Sequence, residues 1–274
     1  MSTQRQESSD NYIYRATNAR KGRHVAVTPQ NSAMRHLVYA RIILDADEPR
    51  AAFDTGEFET GLICLSGSCD IKAGDETHHV GRRDSIYIPR DTEVEITTTE
   101  GVDLVECSAE VEGKYPLQVV RYADIERDPA LRFQTGGASS TRTINIAIGK
   151  NVEAGRILAG FTTTEPGHWA SWPPHEHASM LEELYVYFDM PAPAFGVQFV
   201  YTNPEEPEFV GVVRDGDAVV MPRGFHPNVS VPGHTISFVW LMAAHREQED
   251  RQFGVVTVQP GFDKSGSGLE ASRK

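Results

Sequence analysis

The sequence has little cysteine and no long apolar run. Three cysteines in 274 residues are too few for a disulfide scaffold, and Cys64, Cys69 and Cys107 lack zinc-type spacing, which predicts core thiols. No apolar stretch approaches the roughly 20 residues of a transmembrane helix. The first 15 residues also lack the regions of a secretory signal. These absences predict a cytoplasmic protein with no membrane partner.

Basic residues are also in deficit. The chain carries 26 Lys and Arg against 39 Asp and Glu, for a net charge of -13. This balance repels phosphate backbones and excludes an electrostatic footprint for nucleic acid. A small anionic substrate remains compatible with it, because one or two local Arg or Lys side chains suffice to bind a carboxylate.

Helical periodicity is weak along the whole chain. Residues 121–129 and 244–252 are the only candidates for helices, and both are short and charged. Short runs rich in Val, Ile, Phe and Tyr recur instead between Gly, Pro, Asp and Asn turns, such as "TGLICLSG", "EVEITT", "LYVYF" and "TISFVWLMAA". This pattern predicts an all-β sandwich or barrel fold.

The two halves of the chain echo each other. "RRDSIYIPRDTE" (82–93) matches "RDGDAVVMPRGFH" (214–226) at a constant offset of 133, with Glu93 where the second copy has His226. We therefore expect two copies of one β unit, the first without metal ligands (13–120) and the second with them (143–262). The polar segment 121–142 would connect the units, and residues 1–12 and 263–274 would be flexible ends.

A group of candidate metal ligands lies in the second half. His175 and His177 are two residues apart, so in an extended segment both rings project to the same side. Glu182 and Glu183 begin the next strand and point to opposite faces of it, so one of them can join the histidines. His226 follows the turn residues of "MPRGFHP" about forty residues later.

Three imidazoles and one carboxylate form a nitrogen-rich ligand set. Such a set suits Zn, which we take as the first candidate, or Mn, Fe or Ni, and it does not suit Ca or Mg. His-x-His with Glu on one strand, followed by Gly-x5-Pro-x-Gly-x-His, resembles the two-part pattern of the cupin barrel. The usual spacing in that pattern favours Glu182, so at this point both glutamates stay open.

From about residue 34 to 243 the chain resembles the 5-deoxy-glucuronate isomerase family of inositol catabolism, and more distantly the 4-deoxy-5-hexosulose-uronate isomerases. The matching stretches include "IYIPRDTEVEI", "GHWASWPPHEH", "LEELYVYF" and "DAVVMPRGFHPNVSVPGH". The resemblance implies a bicupin of two barrels, an aldose-ketose isomerase acting on a deoxy-uronic acid, and a metal set of His175, His177, Glu183 and His226. Glu182 becomes the alternative ligand.

The chain departs from that family at several positions. Glu176 and Ala178 stand where the family commonly has Lys and Asp, and Phe199 stands where it commonly has Arg. Residues 245–262 show no match. A different substrate, a cupin dioxygenase and a non-catalytic sugar-acid-binding bicupin therefore stay open as alternatives.

An isomerase of this kind needs groups that move a proton and hold a carboxylate. Side chains on the metal-facing side of the strands are the candidates for proton transfer, namely Tyr185 and Tyr187, with Glu182 or a metal-bound hydroxide as alternatives. Arg223 is the candidate for binding the substrate carboxylate, and Gln198 and His168 are further candidates near the substrate. His78 and His79 are expected to carry no function. Because β units expose strand edges, we also expect a homo-oligomer.

Overall fold

The computed structural model describes residues 11–262 and consists almost entirely of β-strands, which confirms the all-β prediction. The predicted flexible ends lie outside the described residues, apart from Asn11 and Tyr12. Within the described part, no helix has the length and apolar character needed to span a membrane.

The first half of the chain contains ten described strands. They are β1 (Ile13–Tyr14), β2 (Gly22–Val27), β3 (Val38–Leu44), β4 (Arg50–Asp54), β5 (Phe58–Ala73), β6 (Glu76–Gly81), β7 (Ser85–Ile88), β8 (Glu93–Thr97), β9 (Val102–Glu110) and β10 (Gln118–Val120). All except β1 belong to one nine-stranded sheet system, with the path β10-β7-β5-β9-β3-β2 and with β4, β6 and β8 attached to it.

The second half begins with the short helix α1 (Tyr122–Arg127) and continues with twelve described strands. They are β11 (Arg132–Thr135), β12 (Arg142–Ile148), β13 (Ile157–Thr164), β14 (Trp169–Ala170), β15 (His175–Glu176), β16 (Leu181–Phe188), β17 (Gly196–Val200), β18 (Phe209–Val213), β19 (Ala218–Met221), β20 (Asn228–Ser230), β21 (Ser237–Ala244) and β22 (Thr257–Val258).

These later strands form three sheets. The largest has the order β1-β19-β16-β21-β13-β12-β11, the second has the order β14-β20-β17-β18, and β15 pairs with β22. Strand β1 therefore crosses from the start of the chain to the edge of the second half, where Ile13 pairs with Val219. The expected division into units at residues 13–120 and 143–262 stays a prediction. Strand β1 belongs to the first of these ranges but pairs with a strand of the second.

Three apolar cores follow from the alternation of side chains along the strands. One core fills the inside of the first unit, around Leu62 and Leu104, and a second fills the inside of the second unit, around Tyr185 and Trp240. The third lies between the two large sheets and takes residues from both halves, including Ile63 and Leu184. Each large sheet is thus buried on both faces, one toward its own barrel and one toward the other unit.

The internal echo coincides with equivalent strands. The offset of 133 maps β7 onto β19 residue by residue, and these strands pair with β5 and β16 respectively. Glu93, which the echo aligns with His226, begins β8 with an exposed side chain. The first unit therefore repeats the strand arrangement without that candidate ligand.

One of the two predicted helices is wrong. Helix α1 lies inside the first candidate segment, 121–129. In the second, 244–252, the strand β21 extends to Ala244 and the following residues form turns. Gln248 adopts φ 57°, a left-handed conformation that ends right-handed helix. The charged pattern of that segment reflects solvent-facing turns.

Candidate metal centre

The alternation of side chains along β16 separates the two adjacent glutamates. Tyr185 and Tyr187 pack into the core of the second barrel, whereas Leu184 and Val186 pack between the two units. Glu183 has the parity of the tyrosines, so its carboxylate enters the barrel. Glu182 has the opposite parity, and its carboxylate points toward the first unit.

Three buried side chains meet at one point inside the second barrel. His177 Nε2 and His226 Nε2 each lie 3.0 Å from Glu183 Oε2. Candidate ligand atoms from these three residues lie within 4.8 Å of one another. The side chains come from the loop after β15, from β16, and from the turn after β19. His226 reaches the cluster because Gly224 has φ 91° and lies so close to Tyr201 that a Cβ would be 2.7 Å from its carbonyl oxygen.

Backbone carbonyls hold all three imidazoles in one tautomer. His175 Nδ1 lies 2.9 Å from the Pro173 carbonyl, His177 Nδ1 lies 3.1 Å from that of Leu181, and His226 Nδ1 lies 2.9 Å from that of Gly224. A carbonyl oxygen only accepts, so each Nδ1 carries the proton and donates it. In the neutral ring Nε2 then presents a lone pair, as in metal-ligating histidines that are oriented through their other nitrogen.

The electrostatics of the cluster call for a positive charge at its centre. Burial alone would raise the pKa of Glu183, but His177 and His226 lower that pKa to about 2, so the carboxylate stays ionised. Burial would lower the pKa of His177, but its hydrogen bond with Glu183 raises it. His226 Nε2 is buried and, although it lies 3.0 Å from Glu183 Oε2, has no partner in hydrogen-bonding geometry within residues 11–262. A cation between these atoms would satisfy the lone pair and the carboxylate together.

His175 lies next to this group of three. Its ring centroid is 5.1 Å from that of His226 and 6.5 Å from that of His177. Burial lowers its pKa to about 3, with a further contribution from His226, so the imidazole is neutral near pH 7. A neutral imidazole is the form that binds metal. The four side chains therefore fit a transition metal of the Zn, Mn, Fe or Ni type, by their nitrogen-rich donor set.

A small cavity of about 40 Å³ opens beside the cluster. His175, Glu183 and Tyr185 line it together with residues absent from the sequence-based candidates, among them Arg142, Ser171 and an aromatic group of Phe238, Trp240 and Phe253. The Tyr185 hydroxyl lies 2.6 Å from Ser171 Oγ. Burial raises the pKa of Tyr185 well above its ordinary value, so the phenol keeps its proton.

Tyr187 and Gln198 lie behind the cluster and are absent from the cavity wall. The Tyr187 hydroxyl donates to Gln198 Oε1 at 2.5 Å and accepts from Asn228 Nδ2 at 2.9 Å. Gln198 Nε2 donates to the His226 carbonyl at 2.9 Å. These buried hydrogen bonds support the turn that carries His226. Tyr187 and Gln198 therefore help to position His226.

The other three candidates lie away from the cavity. The Glu182 carboxylate accepts backbone N–H bonds from residues 35–37 of the first unit, at 2.6 to 2.8 Å. Arg223 is exposed and lies near Glu208, whose pKa its charge helps to lower. His168 is partly exposed and accepts the Thr141 N–H through Nδ1 at 3.0 Å. The structure therefore does not bring these three to the cluster.

Arg142 is a cavity residue that the spacing arguments missed. It stood at the end of the predicted connecting segment, 121–142, but the structure makes it the first residue of β12. Its signal in the sequence is the strand "RTINIAI", in which Arg142 shares the parity of Ile144 and Ile146, both members of the barrel core. A charged residue in the apolar register of a strand marks an inward-facing charge.

The segment after β21 covers the cluster. The β22 residue Val258 pairs with His175, and the Gln259 N–H donates to the Pro174 carbonyl at 2.9 Å. Phe253 stacks on Trp240 with ring centroids 4.7 Å apart. Residues 245–262 therefore support the histidine segment and close the cavity.

The first unit holds a different residue at the position of Glu183. Thr60 on β5 pairs with Ile88, and Glu183 on β16 pairs with Met221. Ile88 and Met221 are separated by the 133 residues of the internal echo, so Thr60 is the equivalent of Glu183. Because a threonine hydroxyl is a poor substitute for a carboxylate ligand, this position supports the expectation that the first unit lacks the metal set.

Comparison with known proteins gives a consistent family. A sequence model of the KduI/IolB family matches residues 12–255, so the expectation of no match after residue 244 is wrong for residues 245–255. The 5-deoxy-glucuronate isomerase of Bacillus subtilis strain 168 is 32% identical over 204 residues, which cover 68% of this chain and 73% of that protein. The enzyme of the same name from Geobacillus kaustophilus is 27% identical over 240 residues, covering 81% and 85%.

Solved structures agree on the fold. An IolB-like protein from Salmonella typhimurium LT2 superposes with a TM-score of 0.82 at 23% identity, covering 92% of this chain and 98% of that one. A variant of oxalate decarboxylase from Bacillus subtilis gives a TM-score of 0.63 at 13% identity, covering 85% and 77%. Oxalate decarboxylase is a bicupin, so the comparison confirms the predicted bicupin fold.

Proposed function

The chain belongs to the KduI/IolB family, and from that membership we propose that it is a metal-dependent isomerase that converts 5-deoxy-glucuronate to 5-dehydro-2-deoxy-gluconate in inositol catabolism. The observation that carries the metal dependence is the Glu183 carboxylate with two histidine Nε2 atoms at 3.0 Å from one oxygen. Two histidine nitrogens that converge on one buried carboxylate oxygen call for positive charge among them, and a bound transition metal would supply it to both nitrogens at once.

We assign the metal to His175, His177, Glu183 and His226, with Zn as the first candidate and Mn, Fe or Ni as alternatives. When bound, the metal supplies a Lewis acid for the negative charge that develops on the sugar oxygens during aldose-ketose exchange. The protein residues keep the imidazoles oriented through Nδ1, and the aromatic wall limits the access of water.

Tyr185 is the residue that we place at the proton-transfer step. It lines the cavity, and its hydroxyl exchanges a hydrogen bond with Ser171 Oγ at 2.6 Å. Its raised pKa keeps the phenol protonated at neutral pH, so the hydroxyl can donate a hydrogen bond to a sugar oxygen on which negative charge develops. Ser171 has φ 50°, which is uncommon outside glycine, and this conformation helps to set its position beside Tyr185.

The first experiment combines metal content with turnover. Purified wild-type protein and His177→Ala are measured by elemental analysis, and both are then incubated anaerobically with 5-deoxy-glucuronate in deuterated water while C1 and C2 are followed by NMR. We expect about one metal per wild-type chain and ketose carrying deuterium. The deuterium enters because the acid-base group that protonates the enediolate exchanges its own proton with the solvent. Both the metal and the turnover should be lost in His177→Ala.

Each other result contradicts a defined part of the proposal. Turnover without metal would remove the metal dependence. Metal without turnover would exclude 5-deoxy-glucuronate as the substrate. Oxygen consumption on readmission of air would then favour a cupin dioxygenase. Cytoplasmic location and homo-oligomeric assembly stay predictions of the sequence, which fractionation and light scattering would test.

A further inference from the structure

We propose that the first barrel binds an uncharged, polyhydroxylated small molecule of the sugar or cyclitol class, at a site separate from the metal centre. A cavity of about 400 Å³ opens into the first unit, a volume within the range of about 300–1,000 Å³ of small-molecule sites. Its lining includes three side chains that are at most 4% exposed, Thr60, Glu106 and Ser108, which we call the polar floor. This inference goes beyond the proposed isomerase function and does not depend on it.

The cavity lies at the place in the first barrel that corresponds to the metal centre in the second. Thr60, the equivalent of Glu183, pairs with Ser108 on β9, and Glu183 pairs with Met242 on β21. Ser108 and Met242 therefore correspond to each other, and each lines the cavity of its own barrel. The first unit has thus exchanged a carboxylate ligand for hydroxyl groups while keeping a cavity at this point.

A chain of hydrogen bonds runs through the polar floor. Arg23 donates from Nε and Nη2 to the two Glu106 carboxylate oxygens at 2.6 and 2.7 Å. Ser108 Oγ donates to Glu106 Oε1 at 3.2 Å and lies 3.0 Å from Thr60 Oγ1. Because the single hydroxyl proton of Ser108 is used toward the carboxylate, Thr60 is the donor to Ser108. Thr60 Oγ1 therefore keeps its lone pairs for a donor on a ligand.

The charges of this cavity favour a neutral ligand. The Glu106 carboxylate is engaged by Arg23 through both oxygens, so its charge is already matched. Two further carboxylates line the cavity, those of Asp54 and Glu57, and both residues are exposed. They oppose an anion, and solvent screens their attraction for a cation. An uncharged hydroxylated compound meets all of these conditions.

The cavity wall offers the mixed contacts that a sugar ring uses. Phe53 and Phe58 supply apolar surface for C–H groups. The Arg23 guanidinium lies over the Phe53 ring, 4.1 Å from its centroid, and Nη1 makes no hydrogen bond within residues 11–262. The wall thus presents an N–H donor at Arg23 and an acceptor at Thr60. A sugar hydroxyl both donates and accepts, so neighbouring hydroxyls of one ligand can use both groups.

Binding of neutral polyols to the purified protein tests this proposal. Isothermal titration measures the Kd of D-glucose and of myo-inositol for the wild type, Thr60→Val, Ser108→Ala and Thr163→Val. Thr163 Oγ1 lies 3.0 Å from Ser237 Oγ and lines neither cavity, so Thr163→Val is the matched control for a lost cross-strand hydroxyl pair. We expect at least one polyol to bind the wild type with a Kd on the order of 1 mM. Thr60→Val and Ser108→Ala should each weaken this binding about tenfold, and Thr163→Val should leave it unchanged.

Two further titrations separate this site from the metal centre. Polyol binding should be unchanged in His177→Ala, and its loss there would place the ligand in the second barrel and overturn the proposal. D-glucuronate carries a carboxylate in place of the CH2OH group of D-glucose, and Thr60→Val should not change its Kd. An equal loss for the acid and the sugar in Thr60→Val would overturn the neutral class of ligand.

The proposal also fails if the wild type binds neither polyol, or if Thr60→Val and Ser108→Ala both bind like the wild type. The midpoint of thermal unfolding is measured on every variant, and weaker binding at an unchanged midpoint supports the site. Because these titrations need no turnover, their outcome is independent of whether the protein isomerises 5-deoxy-glucuronate.

Discussion

At the scale of single residues, the properties of the site come from partners that the sequence does not show. The histidines are typical candidate ligands, but their Nδ1 atoms are directed by three different backbone carbonyls. The two tyrosines of β16 likewise differ in the partners that surround them. Tyr185 lines the cavity, whereas Tyr187 is held by Gln198 and Asn228 behind it.

The Tyr185→Phe substitution tests that difference. It removes the hydroxyl beside Ser171 and keeps the ring that packs on Phe238, whose centroid is 4.3 Å away. We expect kcat to fall by about 100-fold, which is the typical contribution of a positioned acid, with metal content unchanged. Tyr187→Phe is the matched control. It should lower the free energy of unfolding and have little effect on kcat. Steady-state kinetics measure kcat, and elemental analysis measures the metal content. A larger loss of kcat in Tyr187→Phe than in Tyr185→Phe would instead make Tyr187 the acid.

The three cysteines give a second prediction at this scale. All three are buried, and burial raises the pKa of Cys64 and of Cys69 to about 12. Since the thiolate is the reactive form, only about 10⁻⁴ of each such thiol would be ionised at pH 8. A thiol reagent should therefore label almost no cysteine in the native protein and three per chain in denaturant. Rapid labelling of the native protein would contradict the assignment as core thiols.

At the scale of secondary-structure elements, β16 is decisive because its alternation sends adjacent glutamates to different places. Glu183 enters the barrel, and Glu182 receives backbone N–H bonds from residues 35–37. A sequence pattern based on spacing alone does not separate the two, because the loop between His177 and β16 adds an unknown rotation. The strand register resolves the choice, with Glu183 opposite Met221 and Met242.

A pair of isosteric variants tests the register. Glu183→Gln removes the charge at the cluster, so the affinity for the metal should fall by a factor on the order of 100 or more, given the several kcal/mol at stake when a buried charge loses its partner. Glu182→Gln should change that affinity by less than about threefold, because its carboxylate is outside the cluster. Competition with a metal chelator measures both. The opposite order would assign the ligand to Glu182.

At the scale of the whole molecule, the two units are joined by a reciprocal pair of buried carboxylates. Glu182 of the second unit accepts three N–H groups from residues 35–37 of the first. Glu59 of the first unit accepts those of Gly155, Arg156 and Ile157 of the second, at 2.5 to 2.8 Å. Both carboxylates are at most 1% exposed. In each unit, therefore, one buried carboxylate accepts the backbone N–H groups of the segment that leads into a strand of the other unit.

Removing one of these carboxylates should destabilise the protein as a whole. Glu182→Ala leaves a buried N–H group and two partly buried ones without an acceptor, and we expect a loss of about 3 kcal/mol in the free energy of unfolding. Glu59→Ala should have a similar effect, with a further loss at the Tyr87 hydroxyl, which donates to Glu59 at 2.7 Å. Urea unfolding of both single variants and the double variant measures the coupling. A change below about 0.5 kcal/mol, the range of ordinary surface substitutions, would contradict the role.

Much of this protein follows from local sequence patterns. Alternating apolar residues between turn residues predict the strands, because a half-buried strand requires that alternation. The repeat at an offset of 133 predicts two similar units, and the His-x-His, Glu and His pattern indicates a metal centre with four named candidates. These features depend on residue type and short spacing, which a single chain displays directly.

Tertiary structure decided what depends on long-range register. It placed Glu183 in the barrel and Glu182 between the units, moved Arg142 from a predicted linker into the cavity wall, and left Arg223 at the surface. It also brought residues 253–262 over the histidines and replaced a predicted helix with turns. The physical reason is that β-sheet pairing joins residues far apart in sequence, and a shift of one residue turns every side chain to the opposite face.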